Sequence, residues 1–226
     1  MTKITPVRTD IDHPNKNKRY SWSLRLWHWL NAIVITGSLL TVLVNSTLLK
    51  GSDAVNTVSS ALTAKGVSVT DKQARWVLHD LQDRVWEWHT YIGYTLAALF
   101  LFRLILEFFQ LADQKLMHKI KTARRDFFVL KKHRETAGHE FWVKTLYAIF
   151  YLLLLVTVIT GLDLAFEDDV PALRQFHFLK EVHNFNMYLI LGFIAVHIIG
   201  VLLAERKPHD KGIVSDMING GADKGH

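Results

Sequence analysis

The apolar residues of this chain are gathered into long blocks separated by charged stretches, whereas a soluble domain scatters them along amphipathic elements. A helix needs roughly 20 predominantly apolar residues to cross the hydrocarbon core of a bilayer. Four blocks meet that length, at about Trp22 to Leu48, Trp88 to Phe109, Trp142 to Phe166 and His183 to Ala204. Each carries Trp, Tyr or Lys/Arg near an end, where such side chains suit the headgroup region. Between the first two blocks, Thr70-Asp71 has the form of a helix N-cap, and Val77, Leu81 and Val85 recur every four residues. An amphipathic helix is therefore expected to lead straight into the second span. Lys115 to Arg134 mixes basic residues and histidines with Leu116, Ile120, Phe127, Phe128 and Leu130. It reads either as a helix lying on anionic headgroups or as a solvated basic loop. The expected fold is all-α: a bundle of four transmembrane helices in a single membrane domain over residues 1–226, with the extra amphipathic helix before the second span.

Charge adds an orientation. Sorted by alternate sides of the four spans, the side holding both termini and the middle loop has 20 Lys/Arg against 11 carboxylates, or +9, and the other side has 7 against 10, or −3. The positive-inside rule then places both termini in the cytoplasm, in a multi-pass protein of a bacterial inner membrane. The first apolar run is too long for a signal-peptide h-region and lacks a small-residue cleavage site, so the N-terminal segment is expected to be retained. The lipid bilayer is the partner this pattern demands, and nothing in it points to nucleic acid.

Composition limits the chemistry. The chain has no cysteine, which excludes iron–sulfur clusters, thiolate zinc sites and covalently attached haem, but it has 12 histidines. Ionisable residues within a span are costly and are functional candidates by default. Four histidines qualify. His28 lies near the start of the first span, toward the cytoplasm, and His89 opens the second span from outside; His183 opens the fourth from outside, and His197 follows 14 residues later. At 100° per residue, His183 and His197 fall about 40° apart on one helix face, at levels separated by roughly 21 Å. Depth therefore pairs His89 with His183 on the outer side and His28 with His197 on the inner side. Bis-histidine ligation within a helix bundle suits a low-spin b-type haem at each level. Gly93, Gly192 and Gly200 are candidates to give such a group clearance. The alternative for any one of these residues is a hydrogen-bonded structural histidine. His79 and His177 lie near the outer surface as competitors for the outer level, and His13, His118, His133, His139, His209 and His226 fall outside the spans. Arg25, Arg103 and Lys144 cluster at the inner ends of spans, where they suit haem propionates, a quinone headgroup or lipid phosphate equally.

These residues carry a resemblance. Arg25-Leu-Trp-His28-Trp29 opening the first span, His89 with Gly93 and Arg103 in the second, Thr160-Gly161 late in the third, His183 with His197 in the fourth, and the tail from Lys211 to Gly221 together resemble the prokaryotic cytochrome b-561 family. That family includes the b-type cytochrome subunits of nickel-iron hydrogenases and is related to formate dehydrogenase gamma subunits. The resemblance implies a membrane anchor with two haems b, axially held by His28 and His197 and by His89 and His183, that exchanges electrons with quinone or quinol beside a periplasmic or membrane-bound oxidoreductase subunit. A homodimer is left open, and the stretch from Gly51 to Asp71 matches no docking pattern of the family.

Two other functions compete with an electron-transfer subunit. A self-sufficient superoxide:quinone oxidoreductase requires a positive outer funnel for its anionic substrate; the outer face carries −3, although Lys72, Arg75 and Arg84 are candidates for a local positive patch. A four-helix anchor with structural histidines would carry no redox group at all.

Overall fold

The computed structural model describes residues 22–109 and 134–206, together with 214, 217 and 218. Every regular element among them is helical. Helix α1 (Trp22–Leu43) is continued by a π-helical turn (Val44–Leu48). Helix α2 (Ser52–Thr63) follows, then α3 (Asp71–Phe109), α4 (Arg134–Phe166), a 3₁₀ turn (Leu173–Gln175) and α5 (Phe178–Glu205). Four stretches are long and apolar enough to cross a bilayer: Trp22–Leu48, Asp71–Leu106, Thr145–Phe166 and Phe178–Glu205. Their outward side chains are large and greasy, with Ile33, Leu101, Leu152, Ile159, Ile199 and Leu202 all exposed. In water so much exposed apolar surface would drive aggregation; lipid tails cover it at no such cost. The protein is a multi-pass membrane protein.

Residues 31–184 form one compact unit, and residues 1–30 with 185–226 form another. In the first, the connection from α1 to α3 is built by two glycines. Gly51 (φ +95°) starts α2, and Gly66 (φ +81°) ends it, both in the left-handed region where side-chain-bearing residues are strained. At the second, Val67 N–H donates to the Leu62 carbonyl and Gly66 N–H to the Thr63 carbonyl, closing the last turn of α2. Four residues later, Thr70 caps α3 with a reciprocal box: the Gln73 N–H donates to Thr70 Oγ1 (3.3 Å), and the Thr70 N–H donates to Gln73 Oε1 (2.8 Å). The N-cap expected at Thr70-Asp71 is present, and the helix it starts runs unbroken into the membrane.

The covered face of that helix differs from the expected one. Val77 and Leu81 are exposed, while Ala74 and Leu78 are buried against Ala54 and Val55 of α2, with Leu49 and Val58 at the margin. The reason is α2 itself. Its apolar stripe carries Ala54, Val55 and Val58, all of modest size, so the bulkier four-residue spacing of Val77, Leu81 and Val85 is the loudest apolar signal in the α3 segment. Yet the small Ala54 and Ala74 let the two helices approach closely along a neighbouring face. Side-chain amides then tie the end of the first span to α3: Asn45 Nδ2 donates to the Gln82 carbonyl (3.2 Å), and Gln82 Nε2 donates to the Leu49 carbonyl (2.8 Å). Arg103 Nε donates to Tyr151 Oη (2.9 Å), joining α3 to α4, and Tyr94 stacks on Phe166 at 5.8 Å. The basic segment expected to lie on headgroups falls, apart from Arg134, outside the described residues.

Leu78 is 5% exposed and central to the α2–α3 contact. Leu78→Ala should cost about 2–4 kcal/mol locally. The expected result is faster amide hydrogen exchange throughout Ser52–Thr63, with exchange in the membrane-spanning part of α3 unchanged. Unaltered protection of α2 would show that this cluster does not hold it.

Candidate functional site

In the unit of residues 31–184, α3 presents His89 and α5 presents His183. Their rings face each other with centroids 6.4 Å apart and planes at 81°. Each is held from behind through Nδ1. Thr41 Oγ1 of α1 lies 2.8 Å from His89 Nδ1, with Ser38 Oγ at 3.4 Å. Thr160 Oγ1 of α4 lies 2.8 Å from His183 Nδ1. The residue after Thr160 matters equally: a Cβ at Gly161 would stand 3.2 Å from His183 Cε1, so any larger residue would press on the ring. A glycine inside a helix costs about 1 kcal/mol relative to alanine. Here that cost brings α4 up against the imidazole. Trp86, three residues before His89 on α3, meets its ring edge-on at 5.4 Å.

In the other unit, α1 presents His28 and α5 presents His197, with ring centroids 6.1 Å apart and planes at 60°. The setting here is aromatic. Phe193, one turn before His197, stacks on it nearly in plane (6.1 Å, 5°), and Trp29 meets His28 edge-on at 5.4 Å. Among the described residues, neither ring has a hydrogen-bond partner at Nδ1. The tail folds back onto this end of α1: Arg25 Nη1 donates to the Ile218 carbonyl (3.0 Å), and Trp29 Nε1 donates to the Met217 carbonyl (3.2 Å). Arg25 Nε is buried with no acceptor among the described residues. A buried guanidinium nitrogen without an acceptor is costly, and a carboxylate from a bound group would satisfy it.

The spacing within each couple has a chemical meaning. A transition metal–imidazole bond is about 2 Å, and the bonding nitrogen lies about 1 Å from the ring centre, so imidazoles on opposite sides of one metal have centroids roughly 6 Å apart. Both couples have that separation. It is too long for the rings to bond each other and too short for a side chain between them. A Cβ built at Gly93, Gly192 or Gly200 meets no atom within 4 Å, so these positions leave open space beside α3 and α5.

The remaining candidates are placed elsewhere. His79 pairs with Asp83 on the exposed side of α3 (2.9 Å), and His177 is exposed; neither joins a couple. Arg103 is engaged by Tyr151, as described. The side chains of His139 and Lys144 lie outside the described residues, as do His13, His118, His133, His209 and His226. Sequence reasoning missed Ser38, Thr41 and the role of Thr160. A signal for the first two exists: Ser38, Thr41 and Asn45 follow a helical spacing, a polar stripe along a largely apolar span.

The chain matches the family described as prokaryotic cytochrome b561 over residues 19–220. No curated protein and no solved structure matches it. The matched region takes in all four spans, both imidazole couples and the Thr160-Gly161 step. Proteins of this family are membrane electron-transfer proteins with b-type haem, and the arrangement of paired imidazoles suits that cofactor. By the extent of the match, the chain belongs to the prokaryotic cytochrome b561 family.

Proposed function

We propose that the chain is a di-haem b-type cytochrome that carries electrons across a bacterial inner membrane between the quinone pool and a redox partner subunit. The observation that supports this most directly is the pair of imidazole couples, 6.1 Å and 6.4 Å between ring centroids, both sharing helix α5. On this reading His28 and His197 are the axial ligands of an inner haem, and His89 and His183 those of an outer one. A bound haem with two imidazole ligands supplies a one-electron carrier whose iron has no position left for a substrate.

The chain's own residues then do three things. Four imidazoles hold the two groups, one couple in each compact unit. Thr41, Ser38, Thr160 and Gly161 fix the outer rings, while Phe193 and Trp29 pack the inner ones. Arg25, with its buried Nε, would meet a haem propionate or a quinone headgroup, and Arg103 is a second candidate for such a contact. Quinone or quinol is the exchangeable substrate, and the partner is a periplasmic or membrane-bound oxidoreductase subunit.

The electrostatics of α3 favour a subunit over a self-sufficient superoxide:quinone oxidoreductase. Two of the three cations proposed as a local positive patch are engaged: Arg84 pairs with Glu87 (3.0 Å), and Lys72 lies over the Trp76 ring. A shallow groove of about 590 Å³ there is lined by Asp80, Asp83 and Glu87 beside Arg84, with Val77 and Leu81. Three carboxylates to one guanidinium repel a small anion.

Purified protein should show b-type bands in reduced-minus-oxidised spectra, with two haems per chain. His197→Leu should abolish the bis-imidazole signal of one haem and His89→Leu that of the other. Full retention of both haems in either variant would overturn the ligand assignment.

The orientation has its own test. Alkaline phosphatase fused within residues 64–69 should be active, and fused after Glu205 inactive, if both termini are cytoplasmic. The reverse pattern would invert the protein in the membrane.

A further inference from the structure

The two imidazole couples differ in what stands behind the rings, and the difference is decided by proton accounting. A threonine hydroxyl has one proton to give. Thr41 gives its proton to the Ser38 carbonyl, at 2.6 Å, and Thr160 gives its proton to the Val156 carbonyl, at 2.7 Å. Carbonyl oxygens have no proton of their own, so contacts that short require the hydroxyl proton to lie within them. Each threonine oxygen can therefore meet its histidine only as an acceptor. His89 Nδ1 and His183 Nδ1, both 2.8 Å away, must then be the N–H donors. With the proton on Nδ1, the lone pair of the neutral ring is on Nε2, the nitrogen left for a metal.

Both threonines are buried, at 9% and 3% exposure, and both are anchored by their own helix backbone. They are thus fixed acceptors, one from α1 and one from α4, aimed at rings carried by α3 and α5. Gly161 suits this on the α4 side, because a Cβ there would stand 3.2 Å from His183 Cε1 and press on the ring. The couple formed by His28 and His197 has no such acceptors among the described residues; its rings are oriented by stacking and edge contacts.

We propose that Thr41 and Thr160 are positioning residues that lock His89 and His183 in the Nδ1–H tautomer and lower the redox potential of the haem held there relative to the same haem without those acceptors. The inference rests on the di-haem reading. Its physical basis is that an N–H donated to a fixed acceptor makes the opposite nitrogen a stronger electron donor, which stabilises ferric over ferrous iron. The effect is local, because each hydroxyl touches one ring.

The experiment is a potentiometric titration of the full-length protein in detergent or nanodiscs, followed by visible spectra and low-temperature EPR. Thr160→Val and Thr41→Val keep the volume of the side chain and remove the acceptor. Each should raise one of the two midpoint potentials, leave the other in place and shift the EPR signal of the same haem. Thr160→Ser, which retains the hydroxyl, should restore the wild-type value. Unmoved potentials in both valine variants, with both haems bound, would overturn the proposal while leaving the di-haem reading intact. Equal movement of both potentials would also overturn it, since that is what general loosening of the protein produces. Wild-type protein with fewer than two haems would instead remove the reading on which the proposal rests.

Discussion

An imidazole inside a bilayer has two nitrogens that water can no longer satisfy, and the protein must find each of them a partner. Leaving a polar group unpaired in hydrocarbon costs several kcal/mol, enough to consume much of a small domain's stability. In the His89–His183 couple, one nitrogen of each ring is met by a threonine hydroxyl from a neighbouring helix. The two rings lie with centroids 6.4 Å apart, a separation at which they cannot satisfy each other directly. Paired imidazoles in such a setting are intelligible as ligands and hard to understand as structural groups, which would use both nitrogens on nearby backbone or hydroxyl partners.

The same requirement explains why helices that face lipid so openly still have specific polar contacts. Lipid tails compete with apolar side chains for apolar surface, so greasy packing alone gives little preference for one helix arrangement over another. Specificity comes instead from the polar exceptions. Asn45 and Gln82 fasten the π-helical end of the first span to α3, Arg103 and Tyr151 fasten α3 to α4, and Thr160 fastens α4 to the ring of His183. The residues that orient the candidate ligands thus also help to choose the packing of the helices. A site and a fold specified by the same few hydrogen bonds cannot be altered independently.

What was legible in the sequence follows from this division. Block hydropathy and length locate the four long helices, and the order of histidines along them, read as depth, predicts which rings meet. Those signals survive without tertiary information because membrane thickness supplies a ruler that soluble folds lack. The covered face of α3 was not legible. It is chosen by Ala54 and Ala74, whose smallness matters only once α2 is in place, while the larger Val77 and Leu81 dominate any pattern and turn outward. The threonines were half legible: Thr160-Gly161 is noticeable as a step, and Ser38, Thr41 and Asn45 lie on one stripe. Nothing in their identity shows that their hydroxyl protons are already committed to Ser38 and Val156.

That commitment separates two kinds of ligand support that would otherwise look equivalent. A freely rotating hydroxyl can donate or accept, and it adapts to whichever tautomer the ring adopts. A hydroxyl held by its own helix carbonyl can do one thing, so the ring must conform to it. The aromatic contacts around His28 and His197 restrain ring orientation and, among the described residues, bring no hydroxyl acceptor to either ring. If two iron centres were supported alike, their potentials would differ only through solvent and charge. On the proposed reading the fixed threonine acceptors would add a ligand contribution at the His89–His183 couple, and a gradient between two such sites would give an electron path a preferred direction.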